Sequence, residues 1–271
     1  ALPAASSVAV VGAGWIGSEV AAAARQLGRP VAMIDPAAAP LERALGSEVG
    51  GFYRNLHADH GVALHLGRSV ESFHGAGRVE EVRTADGQTI PADLVVIGVG
   101  AEPRVDLAAR AGLLVDHGIV VDEQLQTSVP AIFAAGDVAA AWHPLLGTRI
   151  RVEHWANALN QGPAAAANML GLTTPYQRLP YFFSDQYDVG MEYSGHAASW
   201  DQVVFRGDPA TREFIAFWLA RGRVVAGMNV NVWDVTDPIQ QLIRSHAAVD
   251  VDRLTDPAVS LEALASAATA A

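Results

Sequence analysis

The sequence predicts an α/β protein, and three observations carry that prediction. Short apolar runs alternate with segments of helical periodicity from Val8 to Leu66. A glycine turn, Gly12-Ala13-Gly14, joins the first apolar run to the first helical segment. Near the other end, apolar and polar residues alternate between tight turns, the pattern of a small antiparallel α+β unit.

Val8–Gly12 reads as a buried strand and Trp15–Leu27 as a helix stopped by Gly28. Val31–Asp35 is a second strand. Leu41, Leu45, Val49, Phe52 and Leu56 recur at helical spacing, in a helix that Gly50 and Gly51 should break or soften. Val62–Leu66 is a third strand. The order βαβαβ predicts a three-layer, Rossmann-like parallel-sheet unit. Ser69–Phe73 and Arg78–Thr84, with the Asp86-Gly87 turn, read as an antiparallel meander. Asp93–Val99, Ile119–Val121 and Ile132–Ala135 follow as strands, and Val152–Leu170 as an alanine-rich helix. Beyond Pro180, Val203–Arg206, Glu213–Ala220 and Arg223–Asn229 read as strands, the last two joined by an Arg221-Gly222 turn. Asp237-Pro238 predicts a helix start, N-cap then first residue, leading into Ile239–Ser245. After Asp256 a short helix and a loose tail are expected.

Composition narrows the function. Hydrophobic residues make up 51% of the 271, enough for real cores. No apolar run is long enough for a membrane span, and the start has no secretion-signal pattern, so a cytoplasmic protein without a membrane partner is expected. A net charge of -11 argues against a nucleic-acid partner. There is no cysteine, which excludes thiol nucleophiles, thiolate metal sites and a redox disulfide. There is also no lysine, hence no Schiff base and no P-loop lysine.

Gly12, Gly14 and Gly17 fill the three roles of a dinucleotide fingerprint: tight turn, close approach of backbone to pyrophosphate, and helix-on-strand packing. Trp15 and Ile16, between the last two glycines, open the helix whose N-terminus faces the phosphates. Asp35 ends the second strand at close to the ~20-residue distance expected of a ribose-binding acid. Its carboxylate would accept from the ribose and repel a 2′-phosphate, so NADH is expected over NADPH. The alternative is a packing turn with Asp35 as a solvated acid. Glu19 also reads two ways: a carboxylate in the helix's first turn, suited to the dipole, or a hydrogen-bond partner of the nicotinamide end. His57 and His60 have the spacing of a metal pair, but an exposed helix end is the expected reading, and no metal is expected. With neither cysteine nor lysine to serve, a second cofactor is the economical hydride acceptor.

"TSVPAIFAAGDVA" (127–139), "EHWANALNQG" (153–162) and "FFSDQYD" (182–188), together with "GAGWIGSE" (12–19), resemble the FAD-dependent pyridine nucleotide reductases. The resemblance is to the ferredoxin and rubredoxin reductase branch, which serves dioxygenases and cytochromes P450. It implies that FAD takes a hydride from NADH and passes single electrons to a ferredoxin-type iron–sulfur protein. It implies further that Gly98 and Gly100 flank a loop on the nicotinamide half of NAD. Gly136 and Asp137 would lie at the flavin ribityl chain. Glu153 and Trp155 would sit by the isoalloxazine, with Phe182 and Phe183 over the same region. Such reductases carry two glycine fingerprints. This chain carries one, matched to the second, so an incomplete FAD-binding domain is expected. The implied division is an NAD-binding domain at 1–103, the C-terminal part of the FAD-binding domain at 104–177, and a C-terminal reductase domain at 178–271. The alternative is an NADH-binding module without flavin catalysis, self-associating as a homodimer or completed by a partner chain. Arg206, Arg212, Arg221, Arg223 and Arg244 would form a docking face for an acidic ferredoxin, or an ordinary solvated surface.

Overall fold

A computed structural model describes residues 1–270 in two compact units. The first comprises Ala1–Gly100 with Ser184–Gly190 and Pro209–Arg212. The rest of the described chain forms the second.

The first unit runs β1 (Val8–Val11), α1 (Trp15–Gln26), β2 (Val31–Asp35), α2 (Glu42–Asp59), β3 (Ala63–Leu66), β4 (Val70–His74), β5 (Glu81–Thr84), β6 (Thr89–Pro91) and β7 (Leu94–Ile97). Its parallel sheet has the order β3-β2-β1-β7. Both faces of β1 are covered, which is why Val8–Val11 is apolar without alternation. Val8 and Val10 point to one side, against Ala21 and Ala24 of α1. Ala9 and Val11 point to the other, against Val82, Ile90 and Ala92 of the antiparallel β4-β5-β6 meander. The alanine run of α1 favours helix and lets it lie close on the sheet.

The break in α2 is at Gly46, not at Gly50 and Gly51. Gly46 has φ 86°, a conformation open to glycine. Gly50 stays helical and is small for a different reason. A Cβ there would lie 3.0 Å from the Ala39 Cβ and 3.1 Å from the Pro40 carbonyl oxygen.

The second unit contains α3 (Asp106–Arg110), β8 (Ile119–Val121), β9 (Ala139–His143), β10 (Thr148–Ile150), α4 (Trp155–Met169), β11 (Tyr181–Gln186), β12 (Val189–Gly195), β13 (Gln202–Asp208), β14 (Glu213–Ala220), β15 (Arg223–Val230), α5 (Thr236–Ser245), α6 (Val251–Thr255) and α7 (Leu261–Ala270). The tip of the β11–β12 hairpin, Ser184–Gly190, belongs to the first unit. One sheet has the order β10-β9-β8, the other β11-β12-β15-β14-β13. In the larger sheet Ile215, Phe217 and Leu219 of β14 pack with Ile239, Leu242 and Ile243 of α5, Leu254 of α6, and Leu261 and Ala265 of α7. The short helix expected after Asp256 is α7, and it runs through to Ala270, the last described residue, in place of the expected loose tail.

Two further expectations are corrected. Ile132–Ala135 is not a strand: it makes one isolated bridge, Gln126 to Phe133. A strand is held by its neighbours' ladders, and among the described residues none flanks this segment. The helix expected to start at Pro238 starts two residues earlier, at Thr236 with Val235 as N-cap, and Asp237 lies in its first turn. Among the described residues no helix is long and apolar enough to cross a membrane.

Candidate functional site

The strand order reverses beside β1, between β2 and β7, so a crevice opens at the C-terminal end of β1. The glycine turn occupies that end. Gly12 turns with φ 100°, its N–H donating to the Ile34 carbonyl at 2.8 Å. A Cβ on Gly12 would lie 2.3 Å from the Gly98 carbonyl oxygen, so the loop after β7 rests directly on the turn. A Cβ on Gly17 would lie 1.9 Å from the Gly12 carbonyl oxygen, which is the close helix-on-strand contact. Gly14 differs: it is the N-cap of α1, and a Cβ there would meet nothing within 4 Å. The turn is thus closed on its protein side and open on its solvent side, a cradle that fits a pyrophosphate. Trp15 packs edge-on against Tyr53, with ring centroids 6.1 Å apart. Ile16 is 67% exposed, as are Ile97 (58%) and Val99 (71%) beside Gly98, giving the site an apolar lip. Gly100, at φ 111°, has open space around it.

Asp35 has a structural task already. One oxygen accepts from the Ala13 N–H and the other from the Ala37 N–H, both at 2.7 Å. It therefore braces the glycine turn. Each carboxylate oxygen can still accept a second bond, so ribose recognition remains compatible with bracing.

Glu19 lies beyond the first turn of α1, which contains no acid, so the dipole reading loses its ground. Its Oε1 instead accepts from the Ser184 hydroxyl at 2.7 Å. Ser184 in turn accepts from Gln186 Nε2 at 3.3 Å. Behind them is a buried polar cluster that sequence reasoning missed. His57, far from sitting at an exposed helix end, is fully buried, with Nδ1 3.0 Å from the Tyr187 hydroxyl. His60 stacks on Tyr187 at 3.7 Å. Burial pushes the His57 pKa down to about 4; Gln186 opposes this shift and the charge of His60 adds to it. Yet His57 Nε2 and Gln186 Oε1 stop short of an aligned hydrogen bond, and both are buried without a partner, as is the Tyr53 hydroxyl. Burial, and then Glu19, raise the Tyr53 pKa. No group of residues able to hold a metal ion occurs among those described.

In the second unit Gly136 opens a single helical turn at φ 77°, its N–H held by Gln161 at 2.8 Å. Asp137 projects from that turn into solvent. Glu153 pairs with Arg151, which also reaches the Asp137 carbonyl. Trp155 is the first residue of α4 and is 72% exposed. Phe183 is 54% exposed, whereas Phe182 turns inward to stack on His154 at 4.0 Å. That stack continues through Tyr193 to Trp218. Burial lowers the His154 pKa against the pull of Asp137 and Glu153. These groups suit one end of a planar ring system, but the described residues hold one glycine fingerprint, at 12–17, and no second pyrophosphate cradle of that kind.

The expected arginine face is reduced. The Arg206 guanidinium donates to the carbonyls of Leu254, Asp256, Pro257 and Val259, tying down the chain between α6 and α7. Arg212 is bound by Asp188 and Asp59, each at 2.9 Å.

Residues 2–162 match the family model described as pyridine nucleotide-disulphide oxidoreductase. The chain belongs to that family. Residues 181–265 match a second model, described as reductase C-terminal, and the two models together with the relatives that match place the chain in the ferredoxin reductase branch of the family. A relative in the branch is the ferredoxin–NAD(+) reductase component of the anthranilate 1,2-dioxygenase system of Burkholderia cepacia, 44% identical over 94% of this chain and 63% of its own length. Putidaredoxin reductase from Pseudomonas putida is 38% identical over 96% of this chain, again 63% of its own. The reductase of the covalent putidaredoxin reductase–putidaredoxin complex superposes with a TM-score of 0.93 at 37% identity, covering 98% of this chain and 64% of that one. This pyridine nucleotide-disulphide oxidoreductase chain thus spans a little under two thirds of those relatives.

Proposed function

We propose that this chain is the NADH-binding and C-terminal portion of a flavoprotein ferredoxin reductase, divided at 1–103, 104–177 and 178–271 as the family resemblance implies. The observation that carries the reading is the glycine turn, closed against Gly98 and open at Gly14, at the strand-order reversal of a parallel sheet. In this reading Gly12, Gly14, Trp15, Ile16 and Gly17 hold the pyrophosphate. Asp35 takes the adenine ribose, and Gly98 and Gly100 admit the nicotinamide beside Glu19. Asp35 favours NADH, because its carboxylate would repel a 2′-phosphate. Arg68, whose N–H bonds the Asp35 carbonyl at 3.0 Å, turns its guanidinium to Asp86 at 2.9 Å.

FAD, when bound, supplies the two-electron to one-electron conversion. Gly136, Asp137, Glu153, Trp155 and Phe183 would hold its ring and ribityl end. Its adenine and pyrophosphate need a second cradle, from the remaining length that the relatives possess. The N-terminus of α4, with unpaired N–H groups and a positive dipole end, would favour negative charge beside Trp155. The ferredoxin-type partner would meet Arg221 and Arg223, together with Arg244, whose guanidinium makes one long bond, to the Gln177 carbonyl at 3.4 Å. NADH as reductant accords with a cytoplasmic setting.

The test is calorimetric titration with NADH and NADPH. NADH should bind at least about tenfold more tightly, roughly 1.4 kcal/mol. Asp35→Asn should narrow that ratio and also cost stability, since it weakens two charge-assisted bonds to the turn. Adding FAD with the segment that completes the relatives should give NADH-dependent flavin bleaching. No NADH binding refutes the nucleotide reading. NADH binding with no flavin reduction, even with that segment, leaves the NADH-binding module as the function.

A further inference from the structure

We propose that Ser184, anchored by Gln186, is a positioning residue that aims Glu19 at the nicotinamide carboxamide; this rests on the NADH reading above. The groups involved all belong to the first unit. Glu19 and Ser184 are 165 residues apart in sequence, so the contact is made only by the fold.

The hydrogen bonds run in one direction. Gln186 Nε2 donates to the Ser184 hydroxyl at 3.3 Å, and that hydroxyl donates to Glu19 Oε1 at 2.7 Å. A serine hydroxyl has one proton. Spending it on Oε1 makes this end of the chain an anion site, and the Gln186 N–H takes up a lone pair that would otherwise compete. Ser184 and Gln186 are buried, at 2% and 1% exposure, and so are held in place, while Glu19 is exposed and by itself free to rotate. A glutamate loses up to ~2 kcal/mol of side-chain entropy when fixed. The serine meets that cost before any ligand arrives. Oε2 has no protein partner among the described residues, and it is the oxygen left to accept from a carboxamide N–H. Gly98 and the apolar lip of Ile16, Ile97 and Val99 stand at the same end of the sheet, where a planar, weakly polar ring would lie.

The experiment compares NADH with ADP-ribose, which lacks the nicotinamide, by calorimetry on the full chain. Wild type should bind NADH more tightly than ADP-ribose. Ser184→Ala should weaken NADH by about five- to tenfold, the scale of one ordinary net hydrogen bond, and leave ADP-ribose unchanged. In a Glu19→Gln background Ser184→Ala should have little further effect. Equal loss for both ligands, or no loss for either, overturns the inference while the NADH reading stands. A wild-type chain that binds neither ligand overturns the NADH reading and the inference with it. Should Ser184→Ala fail to fold, Ser184→Cys, which keeps the side-chain size and replaces the hydroxyl by a weak donor, takes its place: loss confined to NADH supports the inference, and an unchanged NADH affinity overturns it.

Discussion

Gly17→Ala should cost about 3 kcal/mol and abolish NADH binding, whereas Gly14→Ala should leave the fold almost untouched and still cost at least tenfold in NADH affinity. The two glycines sit in the same turn and meet opposite surroundings. A methyl group in place of the Gly17 hydrogen would put its carbon 1.9 Å from the Gly12 carbonyl oxygen and 3.0 Å from the carbonyl carbon. Both are backbone atoms, so relief requires α1 to move off β1. Overpacking of this kind costs 1–3 kcal/mol and occasionally more. At roughly 2–4 °C per kcal/mol, the melting midpoint should fall by about 6–12 °C. Gly14 has φ -75° and ψ -172°, an extended conformation that alanine adopts freely, and open space beyond. As N-cap it should lose less than about 1 kcal/mol. The methyl group instead stands where the pyrophosphate must approach the backbone. Thermal melts and NADH titration of both variants check the pair. Wild-type NADH affinity in Gly14→Ala would remove the cradle from the mechanism.

That contrast also shows what the sequence makes legible. The glycine turn and the strands around it follow from local patterns, because a buried parallel strand is a run of apolar residues and the turn needs glycine at set spacings. The failures are non-local or lack a marker. Gly50 and Gly51 look like helix breakers, but the backbone that bends is at Gly46, and only the Ala39 and Pro40 contacts explain why position 50 is small. Strand β9, Ala-Ala-Ala-Trp-His, is poor in β-branched residues and carries no local strand signal. The β11–β12 hairpin turns through Tyr187 at φ 60° with no Asn-Gly or Asp-Gly to announce it. Arg206 reads as a surface charge because its four carbonyl partners lie about 50 residues downstream. Ser184 sits in a segment that carries part of the family resemblance, yet nothing local connects it to Glu19.

His57 carried a signal that periodicity holds and a metal-pair spacing obscured. Tyr53 and His57 are four apart, beside Phe52 and Leu56, so both continue the buried stripe of α2 rather than its solvent side. The consequence for site chemistry is that α2 presents polar groups inward, under the hairpin tip that carries Ser184. Tyr187 of that tip is held from two sides, by the His57 ring nitrogen and by stacking on His60. Asp188 is held by Arg212 and lies 3.6 Å from His60. The hairpin tip that carries Ser184 is therefore packed against one buried imidazole.

Stability should fall as pH is lowered from about 6.5 to about 4, and His57 should account for the part of that loss which His57→Gln removes. In the unfolded chain the imidazole titrates near its ordinary 6.5, and in the fold burial pushes it down to about 4. Between those values the unfolded state binds a proton that the folded state refuses. Stability then decreases by about 1.4 kcal/mol for each pH unit of acidification. Above pH 6.5 neither state is protonated and His57 adds no slope; below 4 both are, and the loss stops growing at roughly 3 kcal/mol. His143, His154 and His196 are also lowered by burial, and they add slope of the same sign. The comparison that isolates His57 is therefore the pH dependence of the urea midpoint in wild type against His57→Gln. Between pH 7 and pH 5 the wild type should lose about 2 kcal/mol more than the variant. Equal slopes would mean that His57 is protonated as easily in the fold as out of it. Protonation also places a charge inside this buried cluster, 3.0 Å from the Tyr187 hydroxyl, so the hairpin tip should loosen as the pH falls. NADH affinity should then decline with acidification while ADP-ribose affinity holds, because the nicotinamide end is the part of the site that depends on that tip.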